Sequence, residues 1–552
     1  MCGILGHAVV RGDDPAIAAL AVPPGIRLDA LLDRGPDAVG ALDVDGVSLR
    51  HTRLAVIDAA ETSNQPLRSG ALALVCNGEI WNHRALRAAA RDYVHTTTSD
   101  CEAVLQVYAE DGVAGFARLD GFYSFILHDA RNRRLIAHRD PVGKKPLFHA
   151  RVGQAHWFAS NATAIRQNAR SPAAPFAPRT EQVAFYLTHG FTHPATGFFD
   201  GIEPVLPGET LVIDLDTGHV TRTRTELRPP EALAFPLTAE GVLAEFERRL
   251  SAAVEKRLAG LRTPVLIFSG GLDSTLLAVE MLKRAPQTEL LTMRQPLPFL
   301  HDEPFARYAA RKLGARLHFT TPWRQLGRRA DEAIARLDQP LALPSYFLLS
   351  ALAQDAQVFG NVLFTGDGAD EVCFGYRPPS AWFARAPSEA APTWLSGPQP
   401  SSPFSDWGYV QGQLDLIGHA FVKVDKATAE NRMEARVPFL DHDLIRLFRE
   451  IPGDFWRGPL DVSKQPIRAA LRARGFPGWF IERPRRGFTF PFRYLLAPEL
   501  GALRDRLAAS RDALEAVGVR PVPLPTRLEL FRGFDRYWRL IVLGTFLGRL
   551  GG

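Results

Sequence analysis

The chain has 552 residues, 46% apolar and 23% charged, with a formal net charge of +5; about two to four domains are expected at that length, each able to bury a core. No stretch approaches the roughly 18–20 apolar residues of a membrane span, and the opening apolar run is too short for a secretory leader, so no membrane partner is expected. The four cysteines (Cys2, Cys76, Cys101, Cys373) form neither a CxxC pair nor a disulfide framework, which fits a reducing cytoplasm and excludes structural zinc. The basic excess is scattered as single arginines, apart from the run Arg483-Pro484-Arg485-Arg486. A phosphate-bearing small ligand explains such a run as well as nucleic acid does, and no nucleic-acid partner is expected. Eight of the 65 basic residues are lysine, so a lysine inside a motif is more informative than an arginine.

Met1-Cys2-Gly3 leads into a predicted strand at 4–10. Loss of Met1 would put a thiol and a free α-amine on Cys2. An α-amine has an ordinary pKa of about 7.7–8.0, so it can take the thiol proton and leave a thiolate nucleophile. Taken alone, the dipeptide is better read as a small residue in a first strand. Further strands are predicted at 47–49, 72–75, 122–128, 134–138, 156–158 and 209–212, with helices at 84–91 and 100–108, an α+β pattern. Arg53 follows the second strand: its planar fork suits a carboxylate. Asn77-Gly78-Glu79 follows the third. An Asn-Gly pair is ordinarily a turn, but beside a thiolate the Asn77 amide and the Gly78 N–H are converging donors for an oxyanion. Asp100 can hold an ammonium or cap a helix.

A proline-rich stretch, 228–236, marks a linker. Beyond it strands at 264–268, 290–293, 316–319 and 362–364 alternate with helices at 274–284 and 304–313, which implies βαβ units and a parallel sheet. Ser269-Gly270-Gly271-Leu272-Asp273-Ser274 joins strand to helix. Such a loop, opening onto a helix N-terminus, is an anion site. It lacks the lysine of a Walker loop and suits a pyrophosphate, with Asp273 suited to its Mg2+. Thr365-Gly366-Asp367-Gly368-Ala369-Asp370-Glu371 follows the last strand. Three carboxylates so close cannot form a core, and opposite a pyrophosphate loop they suit a shared cation, with Asp370 as second ligand. Lys464 precedes a helix and can neutralise developing phosphate charge. Lys423 reads as part of a solvated helix face. Residues 387–403 read as a loop, and no internal repeat is present.

In order, MCGILG, RGPD (34–37), RLAVID (53–58), NGEIWNH (77–83), SDCE (99–102) and HRDPVGKKPLF (138–148) resemble the glutaminase domain of class II glutamine amidotransferases. SGGLDS, GDGADE with FGY (374–376), EARVPFLDHD (434–443), SKQ (463–465) and RGFTFP (486–491) resemble the synthetase domain of glutamine-hydrolysing asparagine synthetases. The resemblance implies an N-terminal-nucleophile αββα sandwich at 2–217, a linker at 218–238, and a Rossmann-like α/β ATP-pyrophosphatase domain at 239–552. It also implies glutamine, ATP and a carboxylic acid as substrates, Mg2+, an acyl-adenylate, tunnelled ammonia and a homodimer. Residue by residue, it makes Cys2 the nucleophile and Asn77 with Gly78 the oxyanion hole. Arg53, Glu79 and Asp100 hold glutamine. Ser269, Gly270, Gly271, Asp273, Ser274 and Gly366 bind ATP, and Asp273 with Asp370 holds Mg2+. Asp367 and Lys464 act in catalysis, and Lys426, Glu434 and Arg436 sit on the acceptor side.

The chain departs from the family at Asp33, Asn161, 263–266 and Cys373, and above all at 337–346, which is short and mostly apolar. The acceptor is therefore open between aspartate and a larger or less polar acid. Two other readings stand beside amidation. One is an ATP-dependent cyclase resembling β-lactam synthetases or lasso-peptide cyclases, with an unused glutaminase domain; intact Cys2, Arg53, Asn77 and Asp100 argue against it. The other is a glutamine-binding regulator without turnover, which the ATP loop argues against.

Overall fold

The computed structural model describes residues 1–10, 25–58, 60–169, 176–225, 234–294, 302–375, 420–483 and 492–550. In chain order the strands before residue 225 are β1 (Gly3–Val9), β2 (Ala38–Val44), β3 (Val47–Arg53), β4 (Leu67–Ser69), β5 (Leu72–Ile80), β6 (Gly121–Asp129), β7 (Arg134–Arg139), β8 (Phe148–Val152), β9 (Ala155–Ala159), β10 (Ile202–Pro204), β11 (Glu209–Asp214) and β12 (Val220–Arg224). They make two six-stranded antiparallel sheets, ordered β10-β8-β9-β1-β3-β2 and β12-β11-β7-β6-β5-β4.

The alternation of side chains along each strand sets the layers. On β5, Ala73 and Val75 enter a cluster with Ile4 and Ala8 of β1 and Phe158 of β9, so this face packs sheet on sheet. Leu74 and Cys76 point the other way, against Val104, Leu105 and Val107 of helix α1 (Glu102–Asp111). On the far side of the first sheet, Leu5 and Trp157 pack with Ala162 and Ile165 of α2 (Ala162–Asn168). The result is the expected αββα sandwich. Each fully buried Val, Leu or Ile contributes roughly 1.5–3 kcal/mol.

Two details differ from the sequence reading. The third predicted strand does not stop at 75: β5 stays paired with β6 as far as Ile80, so Asn77-Gly78 lies inside a strand and not in a turn. The last strand, β12, pairs with β11 and carries the sheet past residue 217 to Arg224. The part of the proline-rich stretch at 228–233, the loop at 387–403, Tyr376 and the RGFTFP segment lie outside the described residues.

The second half opens with α3 (Ala239–Leu258), whose first turn is capped by Thr238 accepting from the Gly241 N–H at 3.0 Å. There follow β13 (Val265–Ile267), α4 (Leu272–Arg284), β14 (Glu289–Met293), β15 (Leu317–Thr320), α5 (Pro344–Ala356), β16 (Val362–Phe364), α6 (Val422–Ala429), β17 (Glu434–Arg436), α7 (Gln465–Ala473) and α8 (Phe534–Gly548). The strands form one parallel sheet, β15-β14-β13-β16-β17. Both of its faces are covered: Leu266, Leu290 and Phe364 join one cluster, while Val265, Leu291 and Leu363 join another. That is why the three central strands, β14, β13 and β16, read as continuous apolar runs. Among the described residues no helix is long and apolar enough to cross a membrane.

The two halves are joined by polar contacts. Arg539 of α8 donates to the Leu187 carbonyl at 2.8 Å. Arg34 pairs with Asp425 of α6 at 3.0 Å, and Asn361 donates to the Ala55 carbonyl at 2.9 Å.

Candidate active sites

Cys2 immediately precedes β1, a strand in the middle of the first sheet that pairs with β3 from Gly3 and with β9 from Leu5. Its N–H donates to Asn77 Oδ1 at 3.0 Å, and its Sγ lies 3.9 Å from the Leu54 carbonyl oxygen. Asn77 is fully buried, yet its Nδ2 has no hydrogen-bond partner. A buried donor left unpaired costs about 1–3 kcal/mol, and such a donor beside a thiol can meet an oxyanion. Gly78 has φ +144°, and a Cβ there would meet the Phe122 carbonyl oxygen at 2.1 Å. Only glycine lets β5 approach β6 this closely while presenting the peptide N–H. Burial pushes the Cys2 thiol up, and the N-terminal positive charge works against that shift.

A cavity of about 50 Å³ lies over the thiol, and Cys2, Arg53, Gly78, Glu79 and Asp100 all line it. The Arg53 guanidinium is fixed by the Asp58 and Ala60 carbonyls and by Asn64 Oδ1 at 2.6 Å. Asp100 accepts from the Ile80 N–H at 2.8 Å and does not cap the helix beside it. Burial, reinforced by the Glu79 charge, raises its pKa to about 7. Glu79 accepts from Arg436 at 2.6 Å and from Trp81 Nε1 at 3.1 Å. Met1 is buried, lines the same cavity, and places its ammonium 2.9 Å from Glu434.

The second cavity, about 250 Å³, opens at the C-terminal ends of β13 and β16. β14 lies on one side of β13 and β16 on the other, so this is the crevice where strand order reverses and open α/β sheets bind ligands. Ser269, Gly271, Asp273 and Ser274 line it from the first loop; Gly366, Asp367 and Asp370 line it from the second. Gly270 does not line it. Its φ is +68°, a Cβ would meet the Ala306 nitrogen at 2.3 Å, and its carbonyl accepts from Arg483 at 3.1 Å. Lys464 holds the two loops together, with Nζ 2.5 Å from Asp273 and 2.7 Å from Asp370. Burial opposes its charge, but the two carboxylates outweigh burial and raise its pKa. An ammonium thus occupies the point where two hard carboxylates converge. Such a donor pair fits Mg2+, which takes one or two carboxylates and fills its shell with water and substrate phosphates. Among the described residues no group of three or more His, Cys, Asp or Glu is arranged for a metal.

Three of the predicted residues lie elsewhere. Lys426 faces Asp338, which also accepts from the Ala162 N–H at 3.0 Å across the domain boundary. Burial lowers Lys426 to about 8 and raises its neighbour Glu430 to about 7. Glu434 lines the thiol cavity, with Lys145 at 2.7 Å and Lys144 at 3.6 Å. Burial would raise its pKa, but Lys145, the N-terminal ammonium and Lys144 hold it well below the usual carboxylate range. Arg436 reaches Glu79.

Lys423 is a correction. It does not lie on a solvated helix face: it lines the second cavity and pairs with Asp367 at 2.6 Å. Its position beside Asp425 and Lys426 on α6 carried no sign of this in the sequence. Arg34, within the RGPD motif, is a further site residue that the sequence does not single out; its Nε donates to the Cys2 carbonyl at 3.2 Å while its far end pairs with Asp425. Arg483 and Ser345 line the second cavity too, and only the basic run at 483–486 hints at the first.

Comparison with known proteins assigns the two halves to two families. Residues 1–224 match the glutamine amidotransferase domain family, and residues 245–414 and 416–521, half of the chain, match the asparagine synthase family. A putative glutamine-hydrolysing asparagine synthetase of Mycobacterium bovis is 28% identical, covering 90% of this chain and 88% of that protein. The glutamine-hydrolysing asparagine synthetase of Mesocricetus auratus is 26% identical over 83% of this chain and 79% of its own. A Penicillium rubens protein named amidase chyE is 28% identical over 63% of this chain and 54% of its own.

Proposed function

Because this chain belongs to the asparagine synthase family and is a glutamine-hydrolysing, ATP-dependent ligase, we propose that it amidates a carboxylic acid through an acyl-adenylate. In this reading the Cys2 α-amine, exposed by loss of Met1, takes the thiol proton. The thiolate attacks the glutamine carboxamide, and the oxyanion is met by Asn77 Nδ2 and the Gly78 N–H. Arg53 takes the α-carboxylate, and Glu79 with Asp100 takes the α-ammonium. Ammonia leaves, and water releases glutamate from the thioester. In the second cavity the loop at 269–274 and Gly366 hold ATP while the acceptor carboxylate attacks its α-phosphate and pyrophosphate departs. Lys464 offsets the growing phosphate charge, and Asp367 lies at the acyl end. Asp273 and Asp370 would hold Mg2+, which supplies charge neutralisation at the pyrophosphate. Ammonia then displaces AMP to form the amide.

The observation that carries this reading is the pairing of an unsatisfied Asn77 amide at Cys2 with a phosphate-type crevice built on two glycine loops. Helix α6 ties them together, through Asp425 on Arg34 and Lys423 on Asp367.

For the acceptor we propose an acid larger or less polar than aspartate. Of the polar residues in 337–346, Asp338 is taken by Lys426, Gln339 accepts from Thr192 at 3.0 Å, and Tyr346 donates to Glu430 at 2.5 Å. Ser345 alone among these four lines the cavity, with apolar Leu349 beyond it. An aspartate bound here would need partners for two further charges, and unpaired buried charges cost several kcal/mol. The test is glutamate and pyrophosphate release across a panel of carboxylic acids at fixed ATP. Acid-dependent pyrophosphate with glutamine or ammonium supports the ligase. The highest kcat/KM for aspartate would make this an ordinary asparagine synthetase and overturn the acceptor assignment. Pyrophosphate release that never needs an external amine would favour the cyclase.

A further inference from the structure

Glu79 follows the two oxyanion donors on β5, so one stretch of strand presents both the oxyanion site and an acceptor for the α-ammonium of glutamine. A carboxylate this deeply buried, 5% exposed, needs a fixed counter-charge. Lys144 of the glutaminase half acts on it only through space; the hydrogen-bonded counter-charge is Arg436 of β17, the edge strand of the parallel sheet, whose second guanidinium nitrogen donates to the Arg257 carbonyl of α3. The other Glu79 oxygen accepts from Trp81, and the Trp81 ring lies 3.6 Å from the Arg257 guanidinium, itself paired with Asp441 at 2.7 Å. Both groups that orient Glu79 are thus backed by the synthetase half. Glu79 lines the thiol cavity and Arg436 does not, so Arg436 acts on a ligand there only through Glu79. Its backbone carbonyl also accepts from the Thr365 N–H at 3.1 Å, the first residue of the second nucleotide loop.

We propose that Arg436 is a positioning residue for glutamine: it holds the Glu79 carboxylate on the α-ammonium, so the glutamine site is complete only with the synthetase domain docked. This rests on the reading of the Cys2 cavity as a glutaminase site. The consequence is selectivity for the α-amine. Without Arg436 the carboxylate loses its charge-assisted hydrogen bond and its fixed direction, while Cys2, Asn77 and Gly78 keep theirs.

The test uses the full-length chain and compares glutamine with glutaramate, the same amide without its α-amine. Arg436→Met should raise the glutamine KM by about 10- to 100-fold, the range of one charge-assisted hydrogen bond, with a smaller change in kcat. The glutaramate KM should move little, so the preference for glutamine should shrink at least about tenfold. Arg436→Lys should restore part of that preference. An unchanged preference in Arg436→Met overturns the proposal, as does an equal loss for both substrates, which marks a merely structural role. A loss confined to ammonium-driven pyrophosphate release overturns it too, and places Arg436 on the acceptor side. If Arg436→Met does not fold, Glu79→Gln and Arg436→Lys decide: their effects on the preference should be non-additive when combined, and additive losses overturn the proposal. Absence of glutamate release by the unaltered chain removes the glutaminase reading itself, and this inference with it.

Discussion

Replacing Gly78 by alanine tests the oxyanion site at its tightest point. A Cβ at this position would stand 2.1 Å from the Phe122 carbonyl oxygen and 2.6 Å from the Tyr123 Cα, where ordinary contact begins near 3.4 Å. Both obstacles are backbone of β6, so no rotamer relieves them; β5 and β6 must part by about 1 Å, the scale at which misplacement costs ~100-fold in rate. The residue's φ of +144° adds strain for any side chain. The Gly78 N–H would leave its position, and loss of one oxyanion donor costs about 10²–10³ in kcat. Gly78→Ala should therefore lower kcat for glutamate release by about 10²–10³, with an overpacking cost of roughly 1–3 kcal/mol in stability. Ammonium-supported pyrophosphate release, measured on the same preparation, reports that the chain is folded and the second cavity intact. A folded variant within tenfold of the parent kcat, or one in which only KM changes, would refute the assignment of this N–H to the oxyanion.

Asp100 should give the glutamine site a pH dependence. Its carboxyl titrates at about 7, so below that pH it is uncharged and cannot pair with the α-ammonium; the glutamine KM should fall as pH rises through about 7, and Asp100→Asn should flatten this profile and raise KM. Cys2→Ala should abolish glutamate release and leave ammonium-driven amidation, and mass spectrometry of active protein should find Met1 removed; retained Met1 would exclude the free amine as base. Asp273→Asn should lose pyrophosphate release and keep glutamate release, since Asp273 touches Lys464 at the second cavity and nothing at the first; formation of ADP instead of pyrophosphate by the parent chain would contradict the loop assignment. Asp338→Ala removes one of the two carboxylates facing Lys426 and leaves Glu430 as its counter-charge, so the loss is that of one hydrogen bond to a charged group, about 1.5–3 kcal/mol, read as a lowered midpoint in urea.

What the sequence alone determined was the chemistry that is contiguous in the chain. The glycine loop between strand and helix carries its meaning within a few residues; the Met1-Cys2 and Asn77-Gly78 pairs are ambiguous alone and gain theirs from the ordered series of motifs around them. The parallel sheet was equally legible, because strands covered on both faces read as unbroken apolar runs. Tertiary structure decided everything that depends on which surfaces meet. Asn77-Gly78 has the composition of a turn, but β6 hydrogen-bonds through it and makes it strand. Lys423 has the composition of a solvated face, but α6 lies along the cavity and turns it onto Asp367. Glu434 and Arg436 occupy a short polar segment with no strand-like pattern, and only pairing with β16 extends it and aims both side chains at the glutaminase half. Local propensity and periodicity describe a segment's own backbone; a buried ion pair such as Glu79–Arg436, joining residues 357 positions apart, exists only where the two halves of the chain meet.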